Sequence, residues 1–476
     1  MRPLLLLAVV ALTWLGWRDS AVTAAPLRAG AAAVDITPKQ FPVNMPGGFS
    51  ENLANKAHDP LHARALVLDD GKTTLALVLV DSLGIPQAVA DEARLLASRR
   101  CPLLPEKVLI SATHTHSAPP ANVQVGRPAE VAYRQVLVQG IAEAIVRAHA
   151  SLRPAAVGAA AHPLPDEVFN RRWFLKPGKM PLNPFGGIDQ VKMNPPNSPD
   201  VLLRPAGPTD PDVTVLSVQD AKTRRPLALY ANYSLHYVGG IPPQAVSADY
   251  FGEFARLMPS RLRGDKAFVA MLTNGASGDI NNLPFNTVRP PREPFEQVRI
   301  VAQKTADAAW HAVNKIGTHQ SEVPLAMIQR QITLQMRRPT PEQVQQAQKV
   351  LATKEDAARA KLPPLAEPYA RRTLALAKES SSLKIQLQAI RVGDLAIYAI
   401  PFEVFVEIGL ELKRRTGLPR TMVVGLANGY NGYLPTPQQH KLGGYETWLG
   451  TNRVQEDASD LIVAELLAML EQLKAG

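Results

Sequence analysis

Two histidines separated by one residue close an apolar run in Ile110-Ser111-Ala112-Thr113-His114-Thr115-His116-Ser117. Paired imidazoles at that spacing suit a transition metal, provided extended backbone keeps both on one face. His236 ends a second apolar run that begins at Leu227, and Gly239-Gly240 follow it. A carboxylate, Glu403, stands just beyond a third run, in Ala399-Ile400-Pro401-Phe402-Glu403. Two stretches of small residues bring more polar groups. One is Thr273-Asn274-Gly275-Ala276-Ser277-Gly278-Asp279-Ile280-Asn281-Asn282. The other runs from Gly425 to Thr436 with Tyr430 and Tyr433, and Tyr445-Glu446 lie downstream. Hydrolysis at a single metal ion needs about three or four N/O ligands and one position open to water. His, His and Glu from separate strand ends meet that need. Each motif also has a plain structural reading: a satisfied core histidine, a tight turn, a helix cap or an interface aromatic.

The elements that must position these groups are buried strands. Apolar runs at 65–68, 75–80, 108–112, 227–230, 268–272 and 395–400 read as strands. Helical spacing appears at 86–99, 129–150, 293–315 and 453–474. The alternation predicts a mixed α/β (α+β) fold, with central mixed sheets flanked by helices and the site at strand ends. Residues 164–212 are rich in Pro, Asn and Gly with little periodicity and read as a long functional loop. Residues 339–380, split by Pro363-Pro364, read as an inserted helical hairpin. No internal repeat is visible, and no linker divides 25–476.

Hydrophobic residues make up 46% and charged residues 20%, a globular composition. The single cysteine, Cys101, excludes an intramolecular disulfide framework, a cysteine-type zinc site and an iron–sulfur cluster. The net charge is +10, but no basic run is interleaved with aromatics, so nucleic acid is not the expected partner. Weak attraction to an anionic membrane surface is. Residues 1–24 read as a secretory signal: Arg2, the apolar run Leu4 to Leu15, and small residues at Val22-Thr23-Ala24. The run is short for a bilayer span, which needs about 20 residues, so a cleaved leader and a secreted or periplasmic location are expected.

In this order, Asp35-Ile36-Thr37-Pro38, Gly47-Gly48, His62-Ala63-Arg64-Ala65, His114-Thr115-His116-Ser117, Asn170-Arg171, Asp210-Pro211-Asp212, His236, Gly278-Asp279 and Tyr430-Asn431-Gly432-Tyr433 give the chain a family likeness. It resembles the catalytic domain of the neutral/alkaline non-lysosomal ceramidases over nearly its whole mature length. The resemblance implies a zinc amidase that cleaves the N-acyl amide of ceramide or a related compound with a zinc-activated water. Carried over, the zinc ligands are His114, His236, Glu403 and Tyr433. His116, Arg171 and Tyr445 lie around the reacting carbonyl.

Two departures qualify the likeness. The family's Gly-Asp-Val-Ser-Pro-Asn is here Gly278-Asp279-Ile280-Asn281-Asn282-Leu283, so Asn281 stands at the site serine. A zinc-hydroxide mechanism does not require that serine, and Asn281 retains hydrogen-bonding capacity. The chain also stops 31 residues after Tyr445, so the family's C-terminal β-sandwich-like domain is not expected. Two alternatives stay open: a zinc hydrolase for another amide or an ester, and a non-catalytic binding protein, which Asn281 favours.

Overall fold

Strand Thr74–Val80 shows why the apolar runs are continuous rather than alternating. Its Ala76, Val78 and Val80 pack against helices, while Leu75, Leu77 and Leu79 pack against a second sheet. A strand buried on both faces has no polar side to present. The computed structural model describes residues 26–48, 50–285 and 287–475. The expected leader, 1–24, lies outside the described residues. Among those described, no helix is long and apolar enough to cross a membrane.

The architecture is one unit used three times. Strands Arg28–Asp35, His62–Asp69 and Thr74–Val80 pair antiparallel in succession. Helix Gln87–Ser98 then leads to strand Val108–Ala112, which pairs parallel with Thr74–Val80, and the long helix Pro128–Ala150 follows. The same order recurs with strands Arg153–Pro163, Asp212–Asp220 and Pro226–Tyr233, helix Asp249–Leu262, parallel strand Val269–Asn274 and helix Glu296–Asn314. It recurs again with Leu325–Gln335, Ser382–Val392 and Leu395–Ala399, helix Val406–Arg415, parallel strand Arg420–Val424 and helix Ala458–Ala475. Pairing of Arg28 with Pro154 and Ala29 with Arg153 fuses the first two units into an eight-stranded sheet. The third unit makes a four-stranded sheet of its own. Leu66, Leu77, Leu109, Tyr230, Met271, Ile397 and Met422 meet between the sheets, and the helices cover the outer faces. This is the expected mixed α/β arrangement.

The repeat corrects the expectation of none. It lives in strand order and pairing sense, not in a recurring motif. In each unit a long segment of different composition separates the first strand from the second: 36–61, 164–211 and 336–381. Residues 164–211 are also more structured than the loop expected there. Arg172–Leu175 pairs with both Val191–Met193 and Leu202–Pro205, and Phe169–Asn170 pairs with Ile280–Asn281. In the third segment, helices Pro341–Ala352 and Ala366–Leu376 form the expected helical insertion. A Thr340–Gln343 capping box starts the first of them.

Three strand ends are stitched together. Asn428 N donates to Ile110 O at 2.7 Å, Gly425 N to Asn274 O at 3.1 Å, and Asn274 Nδ2 to Thr113 O at 3.3 Å. Each of these strands is the last of its unit, so the polar motifs that follow them converge.

Candidate metal centre and active site

His114 follows strand Val108–Ala112 in a left-handed conformation, φ 68°. Extension therefore does not continue through the His-Thr-His stretch. The turn nevertheless brings the two rings together, with His116 Nε2 3.3 Å from His114 Nε2. His236 arrives from the end of Pro226–Tyr233. The ligand nitrogens of His114, His116 and His236 all lie within 4.8 Å of one another. Glu403 sits in a two-residue strand in parallel register with Tyr433. It does not cap the helix that follows, whose first N–H, Val406 N, donates instead to Asp279 Oδ1 at 2.8 Å.

Hydrogen bonds fix the direction of the ligand atoms. His114 Nδ1 lies 2.6 Å from Leu83 O and His236 Nδ1 lies 2.8 Å from Ser277 O. A carbonyl only accepts, so each Nδ1 donates there, and Nε2 of a neutral imidazole so held presents its lone pair. Glu403 Oε1 accepts from the Tyr430 hydroxyl at 3.0 Å. Glu403 Oε2 is buried with no hydrogen bond, 3.4 Å from His114 Nε2 and 3.4 Å from His236 Nε2. Burial raises the Glu403 pKa, but His114, His236 and Arg171 outweigh it and hold the carboxyl below its usual range. Burial, reinforced by Arg171 and His114, keeps His236 neutral.

Three acceptor atoms thus converge on one buried point with no proton donor among them. Left alone, that arrangement is costly. A cation resolves it. Tetrahedral ligands at about 2.0–2.1 Å from zinc stand roughly 3.3–3.4 Å apart, which the observed spacings match. Two imidazoles and a carboxylate fit a transition ion better than magnesium or calcium. The residues present therefore fit a transition ion such as zinc, which His114, His236 and Glu403 would hold, with Tyr433 beside Glu403.

His116, Arg171 and Tyr445 are brought to this centre. Burial, then the neighbouring His114, pushes the His116 pKa down to about 3, so its imidazole is neutral. The Arg171 guanidinium lies 5.3 Å over the Tyr433 ring. Burial opposes its charge, but Tyr433, Glu446 and Glu403 raise its pKa above the ordinary range. Its Nε donates to Glu446 Oε1 at 3.0 Å and its Nη2 to Gly278 O at 2.7 Å. The Tyr445 ring stands edge-on to Tyr433, centroids 5.8 Å apart. Burial, then Glu403, raises its phenol pKa, so it keeps its proton. Asn281 is engaged elsewhere: its Nδ2 donates to Asn194 Oδ1 at 2.5 Å and its Oδ1 accepts from Leu283 N at 3.0 Å.

Four residues complete the site beyond those expected to act in it; Gly47, Tyr430 and Glu446 stand in motifs quoted above, and Tyr237 does not. Tyr237 stacks on His116. Tyr430 holds Glu403. Glu446 binds both Arg171 and Arg172, the latter through Nη1 at 2.7 Å. Gly47 covers His116 so closely that a Cβ there would fall 2.4 Å from its Nδ1. Tyr237, Tyr430 and Glu446 adjoin His236, the tyrosine loop and Tyr445 in sequence. For Tyr237 adjacency was the only signal.

Known proteins share this fold. The fold matches the neutral ceramidase of Pseudomonas aeruginosa with TM-score 0.70 at 19% identity, over 95% of this chain and 75% of that one. It matches a ceramidase solved in complex with C2 with TM-score 0.69 at 18% identity, over 95% and 76% of the two chains. No curated protein matches the sequence. The family model for the N-terminal region of neutral/alkaline non-lysosomal ceramidase matches residues 27–287, more than half of the chain. With that match and the shared fold, the chain belongs to the neutral/alkaline non-lysosomal ceramidase family.

Proposed function

We propose that this protein is an exported zinc-dependent amidohydrolase that cleaves the N-acyl amide of ceramide or a related N-acyl compound. The observation that carries the proposal is the convergence of His114 Nε2, His236 Nε2 and the unpartnered Glu403 Oε2 beside a neutral His116. Family membership and two ceramidase structural neighbours support the substrate class. The apolar run Leu4 to Leu15 and the small residues after it support export.

Amides resist attack because nitrogen donation makes the carbonyl a poor electrophile. When bound, zinc would supply Lewis-acid polarisation and a nucleophilic water available near neutral pH. The chain's own residues supply the rest. The neutral imidazole of His116 accepts the proton of the attacking water and returns it to the leaving amine. The protonated Tyr445 donates a hydrogen bond to the developing oxyanion. Arg171, fixed by Glu446 and Gly278, holds positive charge beside that oxygen without reorganising. The Tyr237 ring and the glycine at position 47 limit the movement of His116.

The test is release of fatty acid from a short-chain fluorescent ceramide by the purified protein. Turnover that a chelator abolishes and zinc restores is expected. A protein carrying one zinc that hydrolyses neither ceramide nor other N-acyl amides would overturn the proposal.

A further inference from the structure

The first inserted segment does more than cover His116 with Gly47. Its short strand Lys56–Ala57 pairs in parallel with Ala245–Val246. Asp59 then holds the turn that follows. Its Oδ2 accepts from Ser247 Oγ at 2.5 Å and its Oδ1 from Ala248 N at 2.7 Å. Ser247, Ala248 and Asp249 are all buried.

The two ends of this turn bind different segments of the candidate site. Ser247 binds the stretch that carries His114 and His116. Its N–H donates to Ser117 O at 2.8 Å, and its carbonyl accepts from Thr115 Oγ1 at 2.7 Å. These two contacts bracket His116. Asp249 binds the stretch that carries His236 and Tyr237. Its Oδ1 accepts from Val238 N at 3.1 Å and its Oδ2 from Gly239 N at 3.0 Å. The ends are also tied to each other, Asp249 N donating to Ser247 Oγ at 3.1 Å.

Among the described residues, no backbone hydrogen bond runs directly from 114–117 to 236–239. The turn at 247–249 bridges them. Each stretch supplies one ring of the stacked pair His116 and Tyr237. His114 and His236 have anchors of their own in Leu83 O and Ser277 O. The bridge therefore bears on the stacked pair more than on the metal-facing nitrogens. Asp249 also adopts φ 56°, a left-handed backbone, at the first residue of helix Asp249–Leu262. A position held against backbone preference, with its carboxylate turned to a separate loop, is one that its surroundings constrain.

We propose that residues 247–249 are a clamp that sets His116 flat against Tyr237, with Asp249 and Thr115 as positioning residues for the reaction. The inference deepens the proposed function and rests on it for the role of His116. It goes beyond it in naming groups that act through the imidazole. Second-layer hydrogen bonds of this kind hold a reacting group to within a fraction of an ångström.

The test uses the full protein and two variants that keep side-chain shape. Thr115→Val removes the donor to Ser247 O. Asp249→Asn tolerates the left-handed backbone but puts an NH₂ where one acceptor stood. The first readout needs neither metal nor turnover: the NMR ring-proton signals of His116 in chelator-treated protein. Stacking on Tyr237 shifts these signals, and Tyr237→Ala supplies their unstacked position. Both variants should move them toward that position, and Thr115→Ser should restore them. Signals unchanged in both variants would overturn the proposal.

The second readout is steady-state kinetics beside metal content. In each variant kcat should fall about tenfold to a hundredfold, the scale of a misplacement of up to about 1 Å, with KM and zinc content unchanged. The double variant should fall little further than either single one, because both cut one linkage. Zinc lost in step with activity would overturn the proposal and make the turn a support of the metal. His116 signals that move as expected in a protein that hydrolyses no amide would overturn the proposed function and leave the clamp standing.

Discussion

Tyr237 lies flat on His116, ring centroids 3.7 Å apart and planes within 19°. The tyrosine directly follows His236, so one segment supplies both a proposed metal ligand and the platform for the neighbouring imidazole. Stacked aromatic pairs contribute about 0.5–1.5 kcal/mol beyond the area they bury. Tyr237→Ala should therefore lower kcat/KM by up to about tenfold with the metal content unchanged, and Tyr237→Phe should restore it. Steady-state kinetics beside metal analysis checks this. A loss of metal with the activity would reassign Tyr237 to the ligand shell.

Glu446 is fully buried between two arginines. Removing its charge strands Arg171 and Arg172 away from water. Breaking a buried pair from one side typically costs about 3–5 kcal/mol. Glu446→Gln should show that loss in denaturant unfolding, together with a fall in activity as Arg171 loses its orientation. A variant as stable as the wild type would mean that the arginines find other partners.

Among the contributors to the pH dependence of stability, His440 lies away from the reacting groups. His440 has a buried Nε2 without a hydrogen bond. Burial, then Arg337 and Arg172, pushes its pKa down to about 3. A depressed histidine favours the native state above its unfolded pKa of about 6.5, and that contribution is lost as pH falls toward 3. The slope is at most about 1.4 kcal/mol per pH unit, less where solvent reaches the ring. His440→Gln should flatten the stability profile between pH 6.5 and 4 in urea melts at successive pH values. An unchanged profile would show that His440 titrates normally in the native state.

Strands were legible because they are buried on both faces. The expected 75–80 and 108–112 became Thr74–Val80 and Val108–Ala112, and 395–400 became Leu395–Ala399. The convergence of His114, His236 and Glu403 was legible because each stands a few residues past such a run. Pairs inside 164–211 were not, since Pro, Asn and Gly obscure alternation in strands of two to four residues. The threefold unit was hidden for a different reason. Its conserved feature is pairing sense, parallel only between the third and fourth strands, which single-chain periodicity does not encode. Tyr237 and Glu446 act through contacts across the fold, so their residue types alone carried no sign of a role.

We propose that the converging groups of His114, His236 and Glu403 hold one transition ion. Metal content of the purified protein, beside that of Glu403→Ala, tests it most directly. The wild type should carry one zinc per chain, and the variant, still folded by circular dichroism, should carry almost none. A wild type that binds no metal when supplied with zinc, or a variant that binds as well as the wild type, would show that these three groups do not hold the ion.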